Sequence, residues 1–282
     1  MDDCVELTLA ARLEVVAANA GSLRKLRHLC TDETAAEHGF DPLPFQEQEA
    51  LARAAPHLTE LRADAKATVE QATVMLRNEA PFEALKLRRL EVFTEEEADE
   101  AAADEAAVFA LAVALRGHRS LKTLQLGGIA LHTPAVQDAV CAAAVDLEVQ
   151  HVLLRGCGLG PASLPALEHL LGGKLQRLTI SNDVLLDEAA GVQFARALLA
   201  RHLTHLALHD IDFWNDMAAA SAVLLAATGH PTLQSLDLSF NDAGDDIAAA
   251  SAALGALVAA NTSTLTSLSV WDTNFGDAGW IH

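Results

Sequence analysis

Three histidines, His202, His205 and His209, lie close enough in the sequence to suggest a metal site. Zinc holds all its ligands within about 2 Å of a single ion. In an extended strand, however, His205 and His209 stand roughly 13 Å apart, and His202 starts from the opposite face. The three side chains therefore cannot share one zinc ion, and we expect neither a metal nor a cofactor here.

The glycine-rich segment 156–160 is a second candidate for chemistry, because such loops can cradle phosphate groups. It lacks the Lys-Ser/Thr ending of a phosphate loop and falls where a turn is expected, so the sequence predicts a turn. No G-x-S-x-G, H-E-x-x-H or Cys/His nucleophile arrangement is present. We therefore predict no catalytic residue and expect the protein not to be an enzyme.

Composition narrows the classes of partner and the compartment. The 282 residues are 51% hydrophobic and carry 39 acidic against 19 basic side chains, a formal charge of −20 that repels nucleic acid and anionic lipid. Charged or small polar residues interrupt every apolar run before it reaches the roughly 18 residues of a membrane span, and no export signal is visible. The four cysteines include no C-x-x-C pair. We expect a soluble, cytoplasmic protein with no nucleic-acid or membrane partner.

The pattern L-x-x-L-x-L recurs through the second half and predicts the elements that carry these residues. Copies start at residues 121, 149, 175, 203, 233 and 265, at spacings of 28, 26, 28, 30 and 32 by subtraction. The fourth and sixth residues of each copy alternate inward, as they do on a short strand. An earlier copy starts at Leu87, and weaker ones start at Leu58 and Leu23.

Helix-start signals follow each predicted strand. Thr133 and Pro134 form an N-cap with a proline at the first helical position, Asp187 precedes an Ala-rich run, and Asp245 and Asp246 precede another. One unit of this length cannot bury its own apolar face, so neighbouring units must stack. We predict an α/β solenoid, a horseshoe with a parallel concave sheet and convex helices. Residues 1–57 form an N-terminal helical cap or degenerate repeats, and 58–282 form the array.

The segments LQSLDLSFNDAGD and NTSTLTSLSVWDTNFGDAG carry a family resemblance. They resemble the repeat of ribonuclease-inhibitor-like leucine-rich-repeat proteins, a resemblance that covers about residues 87–280. The family places Asn or Cys at the ninth position of each repeat, where the side chain satisfies backbone groups of the turn. Cys157 and Asn241 match that position, Asp183 and Thr273 are polar substitutes, and Ile129 and Ile211 depart from it.

Side chains between the inward positions line the predicted concave surface and are the candidate binding residues. The middle of this lining is neutral to basic and its C-terminal part is acidic, which could steer a partner. Large aromatic side chains are scarce in the chain and are candidate anchors. The alternative is that these positions are merely solvated. The candidate partner-binding residues are Arg89, Phe93, His151, Arg155, Arg177, His205, His209, Asp210, Trp214, Asp237, Phe240 and Trp271.

The resemblance implies a non-catalytic scaffold that recognises a protein partner on its concave face. One alternative is a regulator of a GTPase, similar to Ran GTPase-activating proteins, in which an arginine such as Arg89 or Arg155 acts on the partner. Another is an adaptor or effector with residues 1–57 as its docking module. At the C-terminal edge the last strand is followed by too few residues for a covering helix. We expect either self-association there or a longer parent chain.

Overall fold

The computed structural model describes part of the chain. Its described residues are 14–15, 17–19, 25–27, 60–64, 69, 73, 84–88, 98–118, 120–199, 202–260 and 264–275. The predicted division at residue 57 is not tested by these residues and stays a prediction.

Among the described residues, nine strands form one parallel sheet in which each strand pairs with its neighbours in sequence, in the order β1 to β9. A parallel sheet needs a crossover between successive strands, and from β3 onward a helix supplies it. The strands are β1 Lys25–Arg27, β2 Glu60–Asp64, β3 Ala84–Arg88, β4 Thr123–Gly127, β5 His151–Arg155, β6 Arg177–Ser181, β7 His205–His209, β8 Ser235–Asp237 and β9 Ser267–Ser269.

In the part of the chain that the structure describes, six helices follow β3 to β8, and consecutive helices pack against one another. Two of the predicted start signals are confirmed, those at Thr133 and Asp187. Thr133 Oγ1 accepts a hydrogen bond from Val136 N, and Asp187 Oδ1 accepts one from Ala190 N. The helices are α1 Ala98–Leu115, α2 Pro134–Asp146, α3 Leu164–Leu171, α4 Glu188–Leu199, α5 Met217–Thr228 and α6 Ile247–Ala260, with short 3-10 turns at Pro161–Ser163 and Gly244–Asp246.

Alternate residues of β4 to β8 face the helices and form the core, as the pattern predicts. The inward leucine and isoleucine side chains are at most 1% exposed, which confirms the predicted burial. The parallel α/β arrangement predicted from the sequence is therefore present. The inward residues are Leu124, Leu126, Leu178, Ile180, Leu206, Leu208, Leu236 and Leu238.

The earliest strong copy of the pattern was placed wrongly. In the sheet, Leu85 pairs with Leu124 and Leu87 pairs with Leu126, so the third copy begins at Phe82 and not at Leu87. Arg89 and Phe93 consequently do not occupy the third and seventh positions of this strand, and both lie outside the described residues. The weaker copies at residues 23 and 58 coincide with β1 and β2.

Helices α4 and α5 approach most closely at Gly191. A Cβ atom added there would lie 2.4 Å from both Cα and Cβ of Ala219 on α5. Alanine normally stabilises a helix relative to glycine by about 1 kcal/mol. We nevertheless expect Gly191→Ala to destabilise the protein by about 1–3 kcal/mol, because two backbones must separate. Urea unfolding measures this, with Gly229→Ala as the control, since the Cβ position of Gly229 is open; a stabilised G191A protein would contradict the packing.

The C-terminal edge of the described sheet is β9. The helix beside it, α6, buries only Ala250 and Leu257 and leaves Val258 60% exposed. The predicted self-association through this edge stays a prediction. None of the described helices combines the length and apolar character needed to cross a bilayer.

Candidate functional site

The side of the sheet that faces away from the helices is called the open face here. In β5, for example, Val152 and Leu154 are buried while His151 and Leu153 are half-buried and Arg155 is exposed. The same alternation runs through β4, β6 and β7. Side chains on the open face are therefore available to a partner over several neighbouring strands.

A row of basic residues crosses the middle of the open face. His151 on β5, Arg177 on β6 and His205 on β7 pair in register, so each lies about 4.8 Å along the sheet from the next. These three residues are called the basic row. Within the part of the chain that the structure describes, neither Arg177 nor nearby Arg155 forms an ion pair with a carboxylate. The basic row therefore carries positive charge that the described residues leave uncompensated.

The histidines of the basic row are held in the neutral form. Partial burial lowers the pKa of His151, and the positive charges of Arg177 and His205 lower it further. Partial burial and Arg177 likewise lower the pKa of His205. A free histidine titrates near pH 6.5. Both imidazoles are therefore mainly uncharged at neutral pH.

A polar network links β7, β8 and β9 on the open face. His209 Nε2 lies 3.2 Å from Asp237 Oδ2, near enough for an ion pair but not aligned as a hydrogen bond. Asp237 Oδ1 accepts from Ser239 N at 3.0 Å, and Ser239 Oγ accepts from Trp271 N at 3.1 Å. Burial alone would raise the pKa of Asp237, but the hydrogen bonds from Ser239 and the charge of His209 lower it below its ordinary value. The network fixes the backbone position of Trp271.

Phe240 and Trp271 form an exposed aromatic pair. Their ring centroids are 4.9 Å apart and the rings are nearly perpendicular, at 89°. Phe240 is 44% exposed and Trp271 is 68% exposed. His209 lies beneath, with its ring 6.0 Å from that of Phe240. These two residues, called the aromatic pair, place a rigid apolar surface in solvent at the C-terminal part of the open face.

One residue just after the strand of each unit has a left-handed backbone, and these residues form a column along the sheet. This column consists of equivalent eighth positions in six successive units, with φ between 49° and 64°. Glycine, asparagine and aspartate tolerate that conformation, whereas a bulky residue there is strained. Phe240 is the one bulky member of the column. The members are Gly128, Gly156, Asn182, Asp210, Phe240 and Asp272.

One predicted anchor is not on the surface. Trp214 is only 1% exposed and packs edge to face against Phe213 and Phe275, at centroid distances of 4.8 Å and 5.6 Å. The prediction that Trp214 binds a partner was therefore wrong, because residues distant in sequence close over the ring. The other described candidates lie on the open face as expected, namely His151, Arg155, Arg177, His205, His209, Asp210, Asp237, Phe240 and Trp271.

Metal-ligating side chains and thiols are the remaining groups that could carry chemistry. In the residues that the structure describes, no three His, Cys, Asp or Glu side chains are grouped so as to hold a metal ion. Cys141 is a free, buried thiol, and the buried Cys157 Sγ donates to the carbonyl of Leu126 at 3.5 Å. Burial, with a smaller contribution from Asp138, raises the pKa of Cys141 to about 12. This thiol is therefore a poor nucleophile.

No family model matches the chain, and no curated protein matches it. One similar solved structure is that of a protein assigned to the mandelate racemase/muconate lactonizing enzymes, from Sorangium cellulosum. It is 16% identical, and the match covers 85% of this chain and 72% of that one, with a TM-score of 0.27. So low a TM-score gives this chain neither a fold nor an activity.

These comparisons correct the family assignment. No family model supports membership among ribonuclease-inhibitor-like leucine-rich-repeat proteins. The assignment is withdrawn, and so are the predictions of a non-enzyme, a non-catalytic scaffold, a GTPase regulator and an adaptor or effector. The parallel strands, the helices and the open face are observed independently of the family.

Proposed function

We propose that the open face binds a protein partner and that the aromatic pair is the anchor of this contact. The observation that best supports this proposal is the left-handed backbone of Phe240, with φ of 64°. Such a conformation costs a bulky residue about 1–2 kcal/mol relative to glycine. Strain of this kind concentrates where a side chain serves binding. Phe240 is 44% exposed, so the core does not account for its size.

The surroundings of the aromatic pair favour a cationic side chain of the partner. Asp210 and Asp272 occupy the units on either side of Phe240 and are exposed, and Asp237 lies on β8. An arginine or lysine stacked on Trp271 would gain a cation–π contact and nearby carboxylates. The proposed partner therefore presents a basic side chain to this part of the open face. This binding implies nothing about whether the protein also catalyses a reaction.

We further propose that the strand–helix units stack as an open solenoid. In support, each described strand pairs only with its neighbours in sequence, and β1 and β9 lie at opposite edges. Such a stack presents one long continuous face, which suits an extended partner segment. A cytoplasmic location is also proposed, since a free thiol such as Cys141 suits a reducing compartment.

A phage-displayed library of short random peptides tests the anchor. We expect peptides selected on the wild-type protein to be enriched in arginine or lysine. Their affinity should fall about tenfold or more for Trp271→Ala and for Phe240→Asn, as for residues at the centre of an interface. Fluorescence polarisation with labelled peptides measures these affinities.

Leu225→Ala is the matched control, because Leu225 is an equally exposed apolar residue, 73% exposed, but lies on helix α5. Its affinity for the selected peptides should stay within about twofold of wild type, as for residues outside a contact. Peptides that bind the W271A and F240N proteins as tightly as wild type, or that lose affinity for L225A instead, would disprove the anchor.

A further inference from the structure

The basic row differs in chemistry from the aromatic pair and lies on other strands. His151, Arg177 and His205 belong to β5, β6 and β7, in register across the sheet. Arg177 is exposed and both histidines are half-buried. Arg155 is exposed on β5, four residues after His151. Up to four nitrogen-bearing side chains therefore face solvent over three adjacent strands.

This concentration of basic groups runs against the charge of the chain. The protein carries a formal charge of −20, and its other described basic residues include Arg116 and Lys174, which pair with Asp146 and Glu148. Arg155 and Arg177 have no such partner among the described residues. Uncompensated arginines in an acidic protein are suited to an external carboxylate, which guanidinium binds through two parallel hydrogen bonds.

We propose that the basic row is a second binding site, which takes an acidic peptide segment with successive Asp or Glu side chains. The argument for this occupant is charge complementarity together with geometry. An extended peptide laid across the strands would place acidic side chains over Arg177 and over the two histidines that flank it. The site goes beyond the proposed anchor, because it uses different residues and a ligand of opposite charge.

Binding at the basic row is coupled to proton uptake by His151 and His205. The flanking strand β4 presents no ionisable side chain, with Lys122 just before it, and β8 presents Asp237, which is close to His209. Thr204 Oγ1 lies 2.9 Å from His205 Nδ1. Partial burial lowers the pKa of both histidines, and the positive charge of Arg177 lowers it further. An acidic ligand opposes that charge, so His151 and His205 take up protons on binding and the affinity rises as the pH falls.

Isothermal titration calorimetry of the full chain with a hexaglutamate peptide tests this proposal. We expect saturable binding that tightens severalfold between about pH 7.5 and about pH 6, with proton uptake seen as a dependence on buffer ionisation enthalpy. Arg177→Gln should weaken binding about tenfold, as for a lost charge-assisted hydrogen bond. The double variant H151Q/H205Q should lose the pH dependence.

Arg196→Gln is the matched control, since it removes the same charge from an exposed position on helix α4. Its affinity should be close to that of wild type, and Phe240→Asn should also bind hexaglutamate normally, which separates this site from the aromatic anchor. The proposal is overturned if hexaglutamate does not bind, if R196Q weakens binding as much as R177Q, or if the pH dependence persists in H151Q/H205Q. It is also overturned if light scattering shows a wild-type dimer that R177Q dissociates, because a second copy would then occupy the row.

Discussion

Asn241→Ala is expected to lower the free energy of unfolding by about 3–5 kcal/mol, because several buried backbone groups lose their partners together. Asn241 is 1% exposed. Its Oδ1 accepts from the N–H groups of Ile211 and Phe213, at 3.0 Å and 3.2 Å. Its Nδ2 donates to the carbonyls of Leu208 and Leu238, at 2.6 Å and 2.8 Å. One side chain thus joins the turns of two successive units.

Chemical denaturation with circular dichroism measures this loss. Asn215→Ala is the control, since Asn215 is exposed, and its effect should stay within about 0.5 kcal/mol. An N241A protein as stable as the N215A protein would show that water replaces the amide without cost, and that the turns do not depend on it.

Leu206→Ala is expected to destabilise the protein by about 2–5 kcal/mol, through lost burial and the cavity left behind. Leu206 is 1% exposed and lies in the middle of β7, between Leu178 on β6 and Leu236 on β8. Neighbours on both sides hold the cavity open, so little relaxation is available. Leu236 is 0% exposed, so Leu236→Ala should destabilise the protein by a similar amount.

Thermal and urea unfolding check the leucine variants against Leu225→Ala, whose side chain is 73% exposed. The control should unfold almost as wild type does. If L206A and L225A were equally stable, the inward register of β7 would be wrong.

The sequence was sufficient for the strands from β4 onward and for the helix starts at Thr133 and Asp187, because inward leucines and N-cap residues act locally. It failed at β3. There the alternation of leucines fits two registers, and only pairing with Leu124 and Leu126 of the next strand selects the one that begins at Phe82. It failed again at Trp214, whose burial depends on Phe275, a residue 61 positions later by subtraction.

The side chains of the proposed binding surface could be predicted from the sequence, but not all the contacts between them. Five members of the left-handed column are Gly, Asn or Asp, residues that favour this backbone, and that regularity was visible in the sequence. Phe240 interrupts it, so the anomaly could have been found before the structure. The contact between Ser239 and Trp271 could not, since a hydroxyl carries no sequence signal for its partner.

The family assignment failed for a different reason. Short strands with alternating leucines, each followed by a helix, are required by the physics of any parallel α/β sheet with one buried face. Such a pattern therefore reports architecture more reliably than ancestry. Function must be argued from the site itself.

The most direct test of the proposed binding function measures two properties of one variant, Phe240→Asn. Asparagine tolerates the left-handed backbone but removes the ring, so relief of strain and loss of the contact with Trp271 nearly cancel. The free energy of unfolding should stay within about 1 kcal/mol of wild type. The affinity for the selected peptides should fall about tenfold or more. A stable F240N protein that binds those peptides as tightly as wild type would contradict the account.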